Sequence, residues 1–231
     1  MISTPRLTLL PLTQEQLNLF VHGVDQLEPT LGLNPSLRQE TEPLLGVLIY
    51  FTMPRLRDPE KYPPLFNTLW IAVDNHRRQI VASAKFKGAP DETGTVEIGY
   101  GTYPVFQRLG YITEMVQGMT EWASRQPGVR RIMADTDTEN VASQKVLEKC
   151  GFRLFDRVEE MLWFEWLPKP RFSFDENGYV SPADCVLVEL TVIETHFLFN
   201  THRLALWEQA KALLNALNRQ HIDLQIGRAH V

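Results

Sequence analysis

Residues 103–116 read YPVFQRLGYITEMV, and the character of the chain changes within that stretch. Around Pro104 it is extended. A glutamine, an arginine and a lone glycine follow, and then helical spacing sets in, with Met115, Val116, Met119, Trp122 and Ala123 on one face. A helix opening at a glycine-containing turn has free backbone N–H groups and the positive end of its dipole, and together these attract an anion, typically a phosphate. Two further stretches flank this turn at informative separations. VEIGYGTYP, at 96–104, places Glu97 on a strand, and NVASQKVLEKCGF, at 140–152, opens the next helix with Asn140 and Ser143.

The elements that must position these residues follow from the patterning. RLTLLPL at 6–12 reads as a strand, and Thr13 with Gln16 forms a capping box that opens a helix. Proline-rich sequence at 28–64 suggests one or two short helices around 36–50 and then an irregular loop, MPRLRDPEKYPP. Three alternating runs at 68–74, 79–86 and 95–103, separated by turn residues, predict an antiparallel meander. Beyond it come a helix to about residue 124, a strand in VRRIMADT, a helix closed by Gly151, and one final strand at 157–167. Strands on both sides of a central helix imply an α/β sheet with a crossover. A change of texture after Pro168 and Pro170 suggests a C-terminal appendage at 168–225, with a β-hairpin around Asn177 and Gly178, one strand and one amphipathic helix. The last six residues, 226–231, fit no structural pattern and read as a non-native scar.

Composition narrows the function classes. The chain has 231 residues, is 44% hydrophobic and carries a formal net charge of −5, so it has no global basic field for nucleic acid and no polybasic block for a membrane surface. No apolar run is long enough to cross a bilayer. The two cysteines, Cys150 and Cys185, stand alone and the six histidines are scattered, which argues against a disulfide framework or a metal site and fits a reducing, cytoplasmic setting.

Taken together, the strand, the QRLGYI turn and the NVASQKVLEKCGF helix resemble the GNAT superfamily of acetyl-CoA-dependent N-acetyltransferases, most nearly its ribosomal-protein alanine acetyltransferase-like branch. The resemblance runs over about 2–166, including the TPRLTLLPLT opening. The family's Q/R-x-x-G-x-G/A signature falls on Gln107, Gly110 and Ile112, and its N-x-x-S/A then G-F signature on Asn140, Ser143, Gly151 and Phe152. It implies a GNAT-like α+β domain at 1–167 with a splayed, mostly antiparallel sheet flanked by helices. It also implies acetyl-CoA as co-substrate, no metal, and an amine acceptor that is a small molecule or a peptide N-terminus. A homodimer is a possible assembly.

The resemblance assigns roles residue by residue. Backbone N–H groups from Arg108 through Leu109, Gly110, Tyr111, Ile112 and Thr113 would receive the pyrophosphate, and the backbone of Thr102, Tyr103 and Pro104 would pair with the pantetheine arm as an added strand. Glu97 becomes the candidate base for the amine, Asn140 a holder of pantetheine or an ordered water, and Ser143 a donor toward sulfur. The chain departs from the pattern at Ile112, usually Gly or Ala, at Arg108, often Gly, and at Leu147, where many members carry a tyrosine acid. Tyr100 and Tyr103 are the available substitutes. Plainer readings stay open: Glu97 as a solvated strand residue, Asn140 as only an N-cap, Ser143 as only a polar first-turn residue. Two other functions compete, a catalytically silent acyl-CoA-binding or sensing module and, from EIGYGTY, an S-adenosylmethionine-dependent methyltransferase.

Overall fold

The computed structural model describes residues 1–168 except 24, 25 and 37. Its elements run β1 (Ile2–Ser3), β2 (Leu7–Pro11), α1 (Gln14–His22), α2 (Leu27–Thr30), α3 (Glu42–Val47), α4 (Met53–Leu56) and α5 (Pro64–Asn67). Then follow β3 (Leu69–Asp74), β4 (Gln79–Phe86), β5 (Thr95–Thr102), α6 (Tyr111–Ala123), β6 (Arg131–Asp137), α7 (Val141–Lys149), β7 (Arg153–Val158) and β8 (Met161–Trp166). Eight strands form one sheet in the order β1-β2-β3-β4-β5-β6-β8-β7, and every neighbouring pair is antiparallel except β5 with β6. The fold is therefore the expected mixed α/β class with the predicted meander. The appendage at 168–225 and the scar at 226–231 lie outside the described residues, apart from Pro168.

Local chemistry accounts for most of the boundaries. Thr13 and Gln16 make the full capping box of α1, each side chain bonding the other's backbone N–H. α6 buries Met115, Val116, Met119 and Ala123 against the sheet, as its spacing requires. Trp122 adds an aromatic cluster with Phe66, Trp70 and Phe86, the ring centroids 5.2–5.8 Å apart.

Three expectations need correction. β1, α2 and α5 are too short to impose a period on the sequence, and none was expected. The stretch read as an irregular loop starts with α4, entered through five residues of π-helix at Leu48–Thr52. The single final strand is in fact the end of β7, a turn and β8. The chain reverses at Glu159, where φ is +54°, without a Gly, Asn or Pro to mark the turn. β7 is an exposed edge, so its pattern has no apolar alternation to read.

The feature that matters most for function is where two strands part. β5 pairs with β6 only at Thr95, Val96 and Glu97, opposite Arg131, Ile132 and Met133. From Ile98 onward β5 bonds β4 alone, and from Ala134 onward β6 bonds β8 alone. Gly94 anchors the paired end: its carbonyl accepts from the backbone N–H groups of Arg130 (2.8 Å) and Arg131 (3.2 Å). Its φ is +80°, and a Cβ there would lie 2.6 Å from the Gly128 carbonyl oxygen. Gly94→Ala is expected to lower stability by about 2–4 kcal/mol, from backbone strain plus overpacking, as a reduced midpoint in urea with an unchanged slope.

Candidate active site

The turn between β5 and α6 is built to leave donors free. Pro104–Phe106 form a single 3-10 turn, Arg108 takes φ +61° and Gly110 takes φ +80°, and no side chain caps α6. Gln107 N–H returns to the Pro104 carbonyl (3.3 Å), and the next backbone donor with an acceptor is Glu114, bonded to Gly110 (3.1 Å). Among the described residues, the N–H groups of Arg108 through Thr113 find no acceptor. A helix start alone leaves four such groups free. This longer run, curved by two left-handed residues, makes a concave nest suited to a diphosphate.

Neighbouring side chains fix that nest in place. The Arg6 guanidinium donates to the Leu109 carbonyl (2.9 Å), pairs with Glu114 (2.7 Å) and lies 4.9 Å from the Tyr111 ring centroid. Thr4 and the Arg6 backbone N–H also donate to Glu114 (2.6 and 2.7 Å). These bonds hold Glu114 below the usual carboxylate range although burial opposes them. From below, the Tyr111 hydroxyl donates to Asp74 at 2.5 Å. Sequence reasoning missed Arg6, Glu114 and Asp74, because their partners are more than thirty residues away and no local spacing announces them.

The second group of residues sits where β5 and β6 diverge. Glu97 is the last β5 residue in register with β6, and Asp135 lies two residues past its partner Met133. Lys87 arrives from β4, its backbone N–H donating to the Glu97 carbonyl (2.8 Å). The Lys87 ammonium pairs with Glu97 and with Asp135, the latter at 2.9 Å. Burial, with the nearby Asp135 carboxylate, pushes Glu97 above the usual carboxylate range; Asp135, also opposed by burial, is held below it by hydrogen bonds with Glu97 and Lys87. Glu97 is thus neither a lone base nor a solvated strand residue but one member of a charged triad. Period-two counting from the β5–β6 register would have found Asp135, but that register is not visible in sequence.

The other predicted residues separate into two sets. Tyr100 meets Ser143, hydroxyl to hydroxyl at 2.9 Å, and burial raises the phenol to about 12. Asn140 accepts from the Ser143 backbone N–H (3.1 Å), the geometry of an N-cap for α7. Leu147 is fully buried in the core. Tyr103 turns the other way and donates its hydroxyl to Glu40 (3.0 Å). Tyr103, Glu40 and Lys85 line a cleft of about 500 Å³ whose floor includes Gly99 and Gly101. A Cβ at either glycine would meet nothing within 4 Å, so the floor is open.

With this geometry in view, the family is clear. Residues 6–153 match the acetyltransferase (GNAT) domain, and the chain belongs to that family. It is 42% identical over 91 residues to the uncharacterized N-acetyltransferase YjdG of Bacillus subtilis, a match covering 39% of this chain and 54% of that protein. It is 32% identical over 85 residues to the uncharacterized N-acetyltransferase YnaD of the same organism, covering 37% and 47%. The chain thus spans about half the length of the curated relatives it matches. The fold is also that of the ribosomal-protein-S5-alanine acetyltransferase from Vibrio fischeri, at a TM-score of 0.51 and 16% identity over 71% of this chain and 94% of that one. No helix among the described residues is long and apolar enough to cross a membrane.

Proposed function

We propose that this protein transfers an acetyl group from acetyl-CoA to a primary amine of a small molecule or a peptide N-terminus. The observation that carries the proposal is the continuity of three features: the unpartnered N–H groups of Arg108 through Thr113, the free edge of β5 beyond Glu97, and the charged triad at the divergence point. A diphosphate fits the first and an extended pantetheine arm fits the second, so the residues present suit coenzyme A. Bound there, acetyl-CoA supplies an activated thioester. Thr102, Tyr103 and Pro104 offer backbone groups along that edge.

The chain's own residues then manage protons. An alkylammonium has no lone pair, so the acceptor must lose a proton before its nitrogen can form the new C–N bond. Glu97 takes that proton directly or through water, and Lys87 and Asp135 hold its carboxylate in place. The Tyr100–Ser143 pair, which joins β5 beyond the divergence point to α7, retains a proton for the departing sulfur, the position left without an acid by Leu147 in the core. Removing the phenol in Tyr100→Phe is expected to lower turnover by about tenfold to a hundredfold with acetyl-CoA affinity retained, read by thiol release against a thermal-shift titration.

Buried Leu147 also keeps a second reading open, a silent acyl-CoA-binding module. By contrast, β5 and β6 are the single parallel pair among the described strands, joined through α6, and this mostly antiparallel sheet lacks the run of parallel strands on which a doubly wound nucleotide site of the methyltransferase kind is built. The deciding measurement is thiol release from acetyl-CoA with an amine panel, with product masses recorded. Amine-dependent release and a gain of one acetyl group support transfer. Tight acetyl-CoA binding without release from any amine establishes the silent module instead.

A further inference from the structure

The cleft beside the charged triad is polarised along its length. At one end, near the divergence of β5 and β6, Lys85 stands opposite Gly99 in the β4–β5 register, and Lys87 stands beside Glu97. Lys85 has no hydrogen-bond or carboxylate partner among the described residues. Burial, with Arg55 and Lys87 nearby, pushes its ammonium down to about 8.

At the other end, by Tyr103, negative charge is in excess, with no unpaired cation like Lys85 to offset it among the residues that line the cleft. Arg38 pairs with Glu28 (2.8 Å) and with Glu40 (3.1 Å), so two carboxylates share one guanidinium. Ser36 also donates to Glu28. The Glu40 side chain is only 9% exposed. Its Oε1 accepts from Tyr103 and Arg38, while its Oε2 is buried and has no partner among the described residues. Burial raises the Glu40 carboxyl above the usual range. A net buried negative charge is costly unless a cation or a proton meets it, and the open space beside Glu40 is the cleft.

We propose that Glu40 binds a second cationic group of the acceptor, so that the preferred acceptor is a diamine or other amine carrying a separate positive charge. The inference rests on the acetyltransferase reading above and deepens it. Gly99 and Tyr103 are four strand residues apart, roughly 13 Å along β5, so one extended chain can reach from the triad to Glu40. The two ends then divide the work. Lys85, which no carboxylate among the described residues neutralises, disfavours an ammonium where the reacting nitrogen must be neutral, and Glu40 rewards one at the far end, where the charge is kept. Glu40 is a positioning residue: it acts on the orientation of the acceptor and stays away from the reacting atoms.

The test compares n-alkylamines with α,ω-diamines of matched length, using the whole protein. Calorimetry without acetyl-CoA reads binding alone, and acetyl transfer is measured separately. Wild type is expected to bind the best diamine at least about tenfold more tightly than its monoamine match, and to show the difference in KM more than in kcat. Glu40→Gln keeps the acceptor atom for Tyr103 and Arg38 and removes the excess charge. The preference is expected to collapse toward unity, with no loss of melting temperature in the ligand-free protein. A purely structural Glu40 would instead lower that temperature and leave the preference in place. Equal binding of diamine and monoamine by wild type overturns the proposal even if the variant does not fold. Diamine binding without any acetyl transfer upholds the Glu40 subsite and rejects the enzymatic reading, and transfer without a diamine preference does the reverse.

Discussion

Glu97→Gln is expected to reduce acetyl transfer by about two to four decades while acetyl-CoA affinity survives. The amide keeps the shape of the side chain and can still meet Lys87, so the sheet at the divergence point should hold. What it loses is a site for the acceptor's proton. The pH dependence carries the sign. Wild-type activity should rise as pH passes through the Glu97 pKa, which burial and Asp135 hold above the usual carboxylate range. In the glutamine variant that limb disappears, and activity climbs only as the acceptor itself becomes neutral, so high pH partly restores it. Asp135→Asn provides an independent check. Removing the neighbouring negative charge should lower the Glu97 pKa and move the wild-type limb to more acid pH. A pH–rate profile of the three proteins with one verified amine decides the matter. Equal turnover by Glu97→Gln across the range would make the triad a structural ion-pair cluster and leave proton removal to water.

The difference between what the sequence revealed and what it hid follows from range. Capping chemistry, the three-strand meander and the α6 stripe are local patterns, and Thr13, Gln16, Met115 and Met119 announce them within a few residues. The turn at Gly110 was legible for the same reason: a glycine before an apolar period marks both a left-handed residue and a helix start. The pairings around it were not. Arg6 to Glu114, Lys87 to Asp135 and Tyr103 to Glu40 join residues from 48 to 108 positions apart. Each depends on strand order or on where an irregular loop settles. Glu40 in particular lies in the proline-rich stretch before α3, where no period exists to assign a face. The β7–β8 hairpin failed for a different reason, since its tip is formed by two glutamates at Glu159 and Glu160 that look like an interruption in a polar strand.

Gly110→Asp is expected to weaken acetyl-CoA binding by about a hundredfold or more, and comparison with Gly110→Asn identifies the cause. At φ +80° every side chain carries backbone strain, but Asp and Asn tolerate the left-handed region best and are nearly the same shape. Both would place their Cβ 3.3 Å from an Arg6 guanidinium nitrogen, so steric effects at the turn are shared. Only Asp adds a negative charge beside the free N–H groups of Arg108 through Thr113. If those groups hold the pyrophosphate, that charge repels the ligand and also fills the nest in its place. Asn is then expected to lose about tenfold or less, with the remainder of the Asp effect shrinking as salt is raised, because like-charge repulsion is screened. Titration of acetyl-CoA at two salt concentrations, with melting curves to confirm folding, reads all three quantities. If Asp and Asn weaken binding equally, the loss is strain at Gly110 alone. Full affinity in a folded Gly110→Asp would move the diphosphate away from this turn altogether.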